Sequence, residues 1–136
     1  MIVLNKIAFF KDEEFLRAVR DTMGQGRMSL AKRREKPIKG IIWKKSLSKL
    51  NFISINFKDY HVKDITDLAY FKNVETIILT YMGDNEEDIG IYEEENILDN
   101  LYLVKKFKNL RRVQLYHLKI NSDVKAACPN ARVFID

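Results

Sequence analysis

Three short segments, LNFISI (50–55), VETIIL (74–79) and LRRVQL (110–115), place apolar residues at the same offsets. These are Leu50, Ile53 and Ile55; Val74, Ile77 and Leu79; Leu110, Val113 and Leu115. The last step in each triplet is two residues, the period at which a strand returns to the same face. A lone strand of this length is not stable in water. The pattern starts at 50, returns 24 residues later at 74 and 36 residues later at 110. Such recurrence predicts stacked units that share one core, with adjacent, parallel strands. The linking text repeats as well, in LAYFKN (68–73) and VKKFKN (104–109), each running directly into the next strand.

The segment VKDITDLAYFKN (62–73) resembles the convex half of a bacterial internalin-like leucine-rich repeat, through Val62, Asp64, Ile65, Leu68, Phe71 and Asn73. The stretch FFKDEEFLRAVRDTMG (9–24) is similar to the helix that caps such arrays. In it, Asp12 can accept from the free amides of the first turn, and Gly24 suits a left-handed C′ position. Phe15, Val19 and Met23 would cover the first repeat. SDVKAACPNARVFI (122–135) resembles a worn final repeat, with Cys128 at the place of Phe71 and Phe107, and Asn130 at that of Asn73 and Asn109. Where the family carries an Asn eight residues after the first strand position, this chain has Lys58, Met82 and Leu118, so an irregular array is expected. The resemblance implies an α/β fold: a short, irregular leucine-rich-repeat-like solenoid with a small parallel sheet, an N-terminal cap helix and an acidic insertion. It implies one domain over 1–136, with a cap helix at 9–24 and a basic connection or irregular first coil at 25–49. Repeats follow at 50–73, 74–109 and 110–130, and a terminal strand at 131–136.

The longer second interval points to an insertion, GDNEEDIGIYEE (83–94), read as an acidic loop. EENILDNLYLVKKF (94–107) then reads as a helix, with Ile97, Leu101 and Val104 on one face and its charges ordered to suit the dipole. The net charge of +5 hides this unevenness: residues 84–99 hold eight acids and no base. A basic body therefore carries one acidic island, a pattern that bears on partners.

Little in the chain reads as a reagent. His61 and His117 stand in turn-like stretches without a partner at metal-ligand spacing. The one cysteine, Cys128, excludes an internal disulfide, fits a reducing compartment and reads as a core residue. Asp84, Glu86, Asp88, Gly90 and Glu95 echo a calcium loop, but Gly90 falls at position 7 and follows an apolar residue. The N-terminal apolar residues are broken by Asn5, Lys6 and Lys11 too early for a membrane span. No enzyme activity, cofactor or metal is expected, nor a membrane, and the protein is read as cytoplasmic.

Two surfaces remain as binding candidates. The exposed side of the strands would display Phe52, Ser54 and Asn56; Thr76, Ile78 and Thr80; Arg112, Gln114 and Tyr116. Aromatic and arginine anchors among small polar groups suit a protein partner, and an acidic set of Glu86, Glu87, Glu93, Glu94 and Glu95 suits a basic partner or a second copy of the chain. Residues 27–49 hold nine Lys/Arg, Arg33 and Arg34 among them, against Glu35 alone. With Trp43 this segment reads either as a solvated connection with a core tryptophan or as a nucleic-acid contact. The expectation is a protein-binding module, an intracellular bacterial adaptor or an inhibitor of a partner protein; the alternative is nucleic-acid binding.

Overall fold

The computed structural model describes residues 4–24, 40–81, 97–98, 101–120 and 123–135. Among these residues three helices, α1 (Glu13–Gly24), α2 (Lys44–Ser48) and α3 (Val124–Ala127), accompany six strands. The strands are β1 (Phe52–Asn56), β2 (Thr76–Thr80), β3 (Ile97–Leu98), β4 (Arg112–Tyr116), β5 (Lys119–Ile120) and β6 (Arg132–Ile135). Short 3-10 turns span Leu4–Lys6, Thr66–Tyr70 and Leu101–Lys106.

The expected strands are adjacent and parallel. One four-stranded sheet runs β1-β2-β4-β6, and β3 pairs with β5 in a second, two-stranded parallel sheet. The main register places Ile53 beside Ile77, Ile77 beside Val113 and Val113 beside Val133; Ile55, Leu79, Leu115 and Ile135 form the next such row. Ile53, Ile55, Ile77, Leu79, Val113 and Leu115 are almost fully buried. They pack under the return segments, whose Leu68 and Phe71, Val104 and Phe107, and Val124 and Cys128 join the same core. Val74 and Leu110 are buried just before their strands, while Leu50 is only half-buried.

The turn into each strand repeats. Phe71 N–H donates to Leu68 and Val74 N–H to Phe71; Phe107 N–H donates to Val104 and Leu110 N–H to Phe107. In the last unit Cys128 N–H donates to Val124 and Ala131 N–H to Cys128. Side chains tie successive turns together. Asn109 Nδ2 donates to Asn73 Oδ1 at 3.3 Å, and Asn73 Nδ2 donates to the Ser48 carbonyl at 2.7 Å.

The cap is a carboxylate clamp. Asp12 Oδ1 accepts from Glu14 N–H at 2.9 Å and Phe15 N–H at 3.2 Å, which closes the first turn of α1. Its Oδ2 reaches across to accept from Lys63 N–H at 2.7 Å and Asp64 N–H at 2.9 Å. Buried Asp67 answers from the other side, accepting from Lys11 N–H at 2.7 Å. Phe15, Ala18 and Val19 seal the end of the core, with Phe10 edge-on to Phe15 at 5.5 Å. The side chain of Met23 lies outside the described residues. Past α1 the chain returns at Gly40, whose φ of +88° a residue with a Cβ adopts only with strain. An antiparallel bridge then pairs Ile7 with Trp43.

Several expectations need correction. The cap helix begins at Glu13, with Phe9 to Asp12 outside it and the chain bent at Lys11, and Gly24 ends the helix rather than following it. The stretch 94–107 is not one helix. Ile97–Leu98 forms β3, held by the equivalent strand β5 of the next unit, and only Leu101–Lys106 winds, as a 3-10 turn. Val104 from its expected apolar face is buried; the side chains of Ile97 and Leu101 are outside those described. The acidic loop 83–94 lies outside the described residues.

Candidate interaction surface

The strand alternation that buries one set of side chains turns the other set outward. Register aligns that set into rows across the sheet. Phe52, Thr76, Arg112 and Arg132 make the first row; Ser54, Ile78, Gln114 and Phe134 the second; Asn56, Thr80 and Tyr116 the third. All nine residues expected on this face are therefore brought together. Phe52 is 47% exposed and Phe134 39%, both high for large apolar side chains.

Arg112 is the fixed point of the face. Its guanidinium sits 5.1 Å from the centre of the Phe134 ring, within cation–π range. With the Gln114 amide oriented to accept, Gln114 oxygen receives Arg112 Nε at 3.0 Å and Nη2 at 2.7 Å. Arg112 and Arg132 give the outward rows positive charge, and no carboxylate stands among the described outward side chains of the sheet. Arg132 and Phe134 join the face through β6, which the sequence reading treats only as a terminal strand. The alternation Arg132, Val133, Phe134, Ile135 carried the signal.

The other sequence-derived candidates fall elsewhere. Arg33, Arg34 and the acidic set Glu86, Glu87, Glu93, Glu94 and Glu95 lie outside the described residues, as does the calcium-loop echo. Trp43 is 41% exposed, so it is not the core residue that one reading made it. It lines a cleft of about 510 Å³ with Asn5, Lys6, Lys44, Lys45, Ser46 and Lys49. A second cleft of about 430 Å³ lies over Ala69, Lys72, Asn73, Lys106, Phe107, Lys108 and Asn109.

Cys128 is buried, its Sγ donates to the Val124 carbonyl at 3.0 Å, and desolvation pushes its thiol pKa up. That environment suits packing and disfavours the thiolate a nucleophile needs. His61 is exposed, its backbone N–H pointing to Glu14 Oε1 at 3.4 Å. His117, just after β4, takes a left-handed φ of 61°. Among the described residues no three His, Cys, Asp or Glu side chains group to hold a metal, and no helix is long and apolar enough to cross a membrane.

No protein-family model matches the chain, and no curated protein matches it.

Proposed function

We propose that the chain is a non-catalytic protein-binding module, a short and irregular leucine-rich-repeat-like solenoid whose outward sheet face receives the partner. One observation carries this reading: a contiguous face over four strands combines exposed Phe52 and Phe134 and half-buried Ile78 with an arginine held in place by its neighbours. Interface anchors are typically aromatic or arginine side chains of this kind, set among small polar groups. Residues fixed by a parallel backbone ladder lose little freedom on binding, which favours affinity at modest area.

The charge of the face narrows the partner. Arg112 and Arg132 without a facing carboxylate suit a partial apolar knob ringed by acidic side chains. The setting implied by the internalin-like resemblance is an intracellular bacterial adaptor or an inhibitor of a partner protein, acting in the cytoplasm. The acidic set around Glu86 and Glu94 extends recognition toward a basic surface, on a partner or on a second copy.

Affinity capture from the native cell tests the reading, with wild type, Arg112→Glu, Phe134→Ala and a control, Lys125→Glu, on the return side. The reading expects a protein held by wild type and control and lost from both face variants. Equal retention by all four chains refutes it.

A further inference from the structure

The stacked turns that lead into β1, β2 and β4 each carry lysines. Lys45 and Lys49 flank Ser48, Lys72 precedes Asn73, and Lys106 and Lys108 precede Asn109. The Asn109–Asn73–Ser48 hydrogen bonds bring these turns side by side, so the lysines form a row across successive units rather than scattered charges. The two clefts described above open along this row. Together they are lined by seven lysines and no carboxylate. None of the seven makes an ion pair among the described residues; Lys44 Nζ lies 5.7 Å from the Tyr70 ring centre, and Glu75 nearby is occupied with Arg111 at 3.9 Å.

At one end of the row stands Trp43, held by its backbone. Its carbonyl accepts from Ser46 and Leu47 N–H, and it bridges Ile7, which leaves the indole to form a wall of the first cleft. A row of cations that ends on an exposed aromatic ring is the chemistry that follows a phosphate backbone and stacks a base. An acidic peptide would use the lysines but needs an aromatic side chain of its own to engage the indole, whereas every base of a nucleic acid brings a π-face. The row belongs to the turns that precede the strands, not to the outward-facing strand residues themselves.

We propose that this row, with Trp43, Lys45, Lys49, Lys72, Lys106 and Lys108 as its contacts, binds a single-stranded nucleic acid. Base stacking on Trp43 fixes the register, and the lysines neutralise successive phosphates. The contacts are to backbone and π-face, so the site discriminates little among sequences.

Trp43 is the only tryptophan in the chain, so its emission reports on this cleft alone. A fluorescein-labelled ten-nucleotide oligo-U, titrated at low salt, is expected to raise in anisotropy and to quench Trp43. Trp43→Ala should weaken binding roughly 5- to 150-fold, the range that loss of one stacked base produces. Lys72→Gln/Lys108→Gln should flatten the dependence of log K on log salt by about 1.4, since single strands give about 0.7 per phosphate contact. Circular dichroism melting of each variant separates lost contact from lost fold, and the paired Lys→Gln change touches exposed side chains only. Uridine monophosphate competing at micromolar concentration would transfer the site to free nucleotides and overturn the strand proposal. No binding, binding indifferent to both variants, or polyglutamate binding as tightly as oligo-U would also overturn it.

Discussion

Asp12 is asked to satisfy four backbone amides at once, two in its own helix and two more than fifty residues away. Removing an N-cap costs about 1 kcal/mol. Hydrogen bonds to a charged acceptor contribute about 1.5–3 kcal/mol each when sheltered. Lys63 is exposed and Asp64 half-buried, so water recovers part of what they lose, and the pair is worth about 1–3 kcal/mol together. Asp12→Ala should therefore destabilise by about 2–4 kcal/mol. In urea, at a slope of about 2 kcal/mol/M, the midpoint falls by roughly 1–2 M. Two further variants divide the total. Asp12→Ser keeps a capping oxygen but cannot span to the 63–64 loop, so it should lose only the long-range part. Asp12→Asn keeps one oxygen and turns an amide donor toward the other pair, so it should fall between wild type and Ala. Amide exchange at Lys63 and Asp64 should accelerate in all three. Urea midpoints for Ala within about 0.3 M of wild type, or Ser and wild type indistinguishable, would refute the clamp.

Other consequences of the structure are testable in the same way. Ile77 is fully buried at the centre of the sheet, so Ile77→Ala should cost about 2–5 kcal/mol by urea unfolding; a cost below about 1 kcal/mol contradicts the shared core. Asp64 has its pKa lowered from the ordinary value of 3.8, chiefly by the Thr66 hydroxyl and then by Thr66 N–H, with Lys11 assisting and burial opposing. A depressed folded-state pKa means its contribution is present above 3.8 and is lost as pH falls through the lowered value. Unfolding measured from pH 5 down to pH 2 should thus show a shallower loss of stability in Asp64→Asn than in wild type, and parallel curves would contradict the assignment. Neutralising Glu86, Glu87, Glu93, Glu94 and Glu95 to Gln should leave stability nearly unchanged, since exposed pairs contribute about 0–1 kcal/mol each. It should slow association with a basic partner or a second copy and flatten its salt dependence, and ready unfolding with intact association would make the island structural instead.

What was legible in the chain was whatever burial imposes periodically. Ile53/Ile55, Ile77/Leu79 and Val113/Leu115 must alternate because one sheet face is covered, and the same alternation places Phe52, Ile78 and Arg112 outside. Asp12 as a cap was readable from local chemistry, but its second pair of amides was not, since nothing near residue 12 specifies Lys63. The segment 94–107 misled because Ile97, Leu101 and Val104 fit a helical period. Tertiary pairing of β3 with β5 decided the matter, and Lys119–Ile120 gives no sign of it at a distance. Trp43 shows a related limit. An aromatic residue beside Ile41 and Ile42 reads either as core or as surface; in the structure its backbone bridges Ile7 and its side chain is left exposed. The asparagine links between turns were visible as repeated residues, whereas the lysine row they align needed the stack itself.

The central claim is that partners are received on the outward sheet face. A photoreactive amino acid placed singly at Ser54, Thr76 or Gln114 reports on that face, while Lys125 and Ala126 are exposed on the return side. Irradiation in the native cell is expected to give the same discrete protein adduct from the three strand positions and none from the two return positions. Adducts formed equally from Lys125 and Ala126, or from no strand position, would contradict the account.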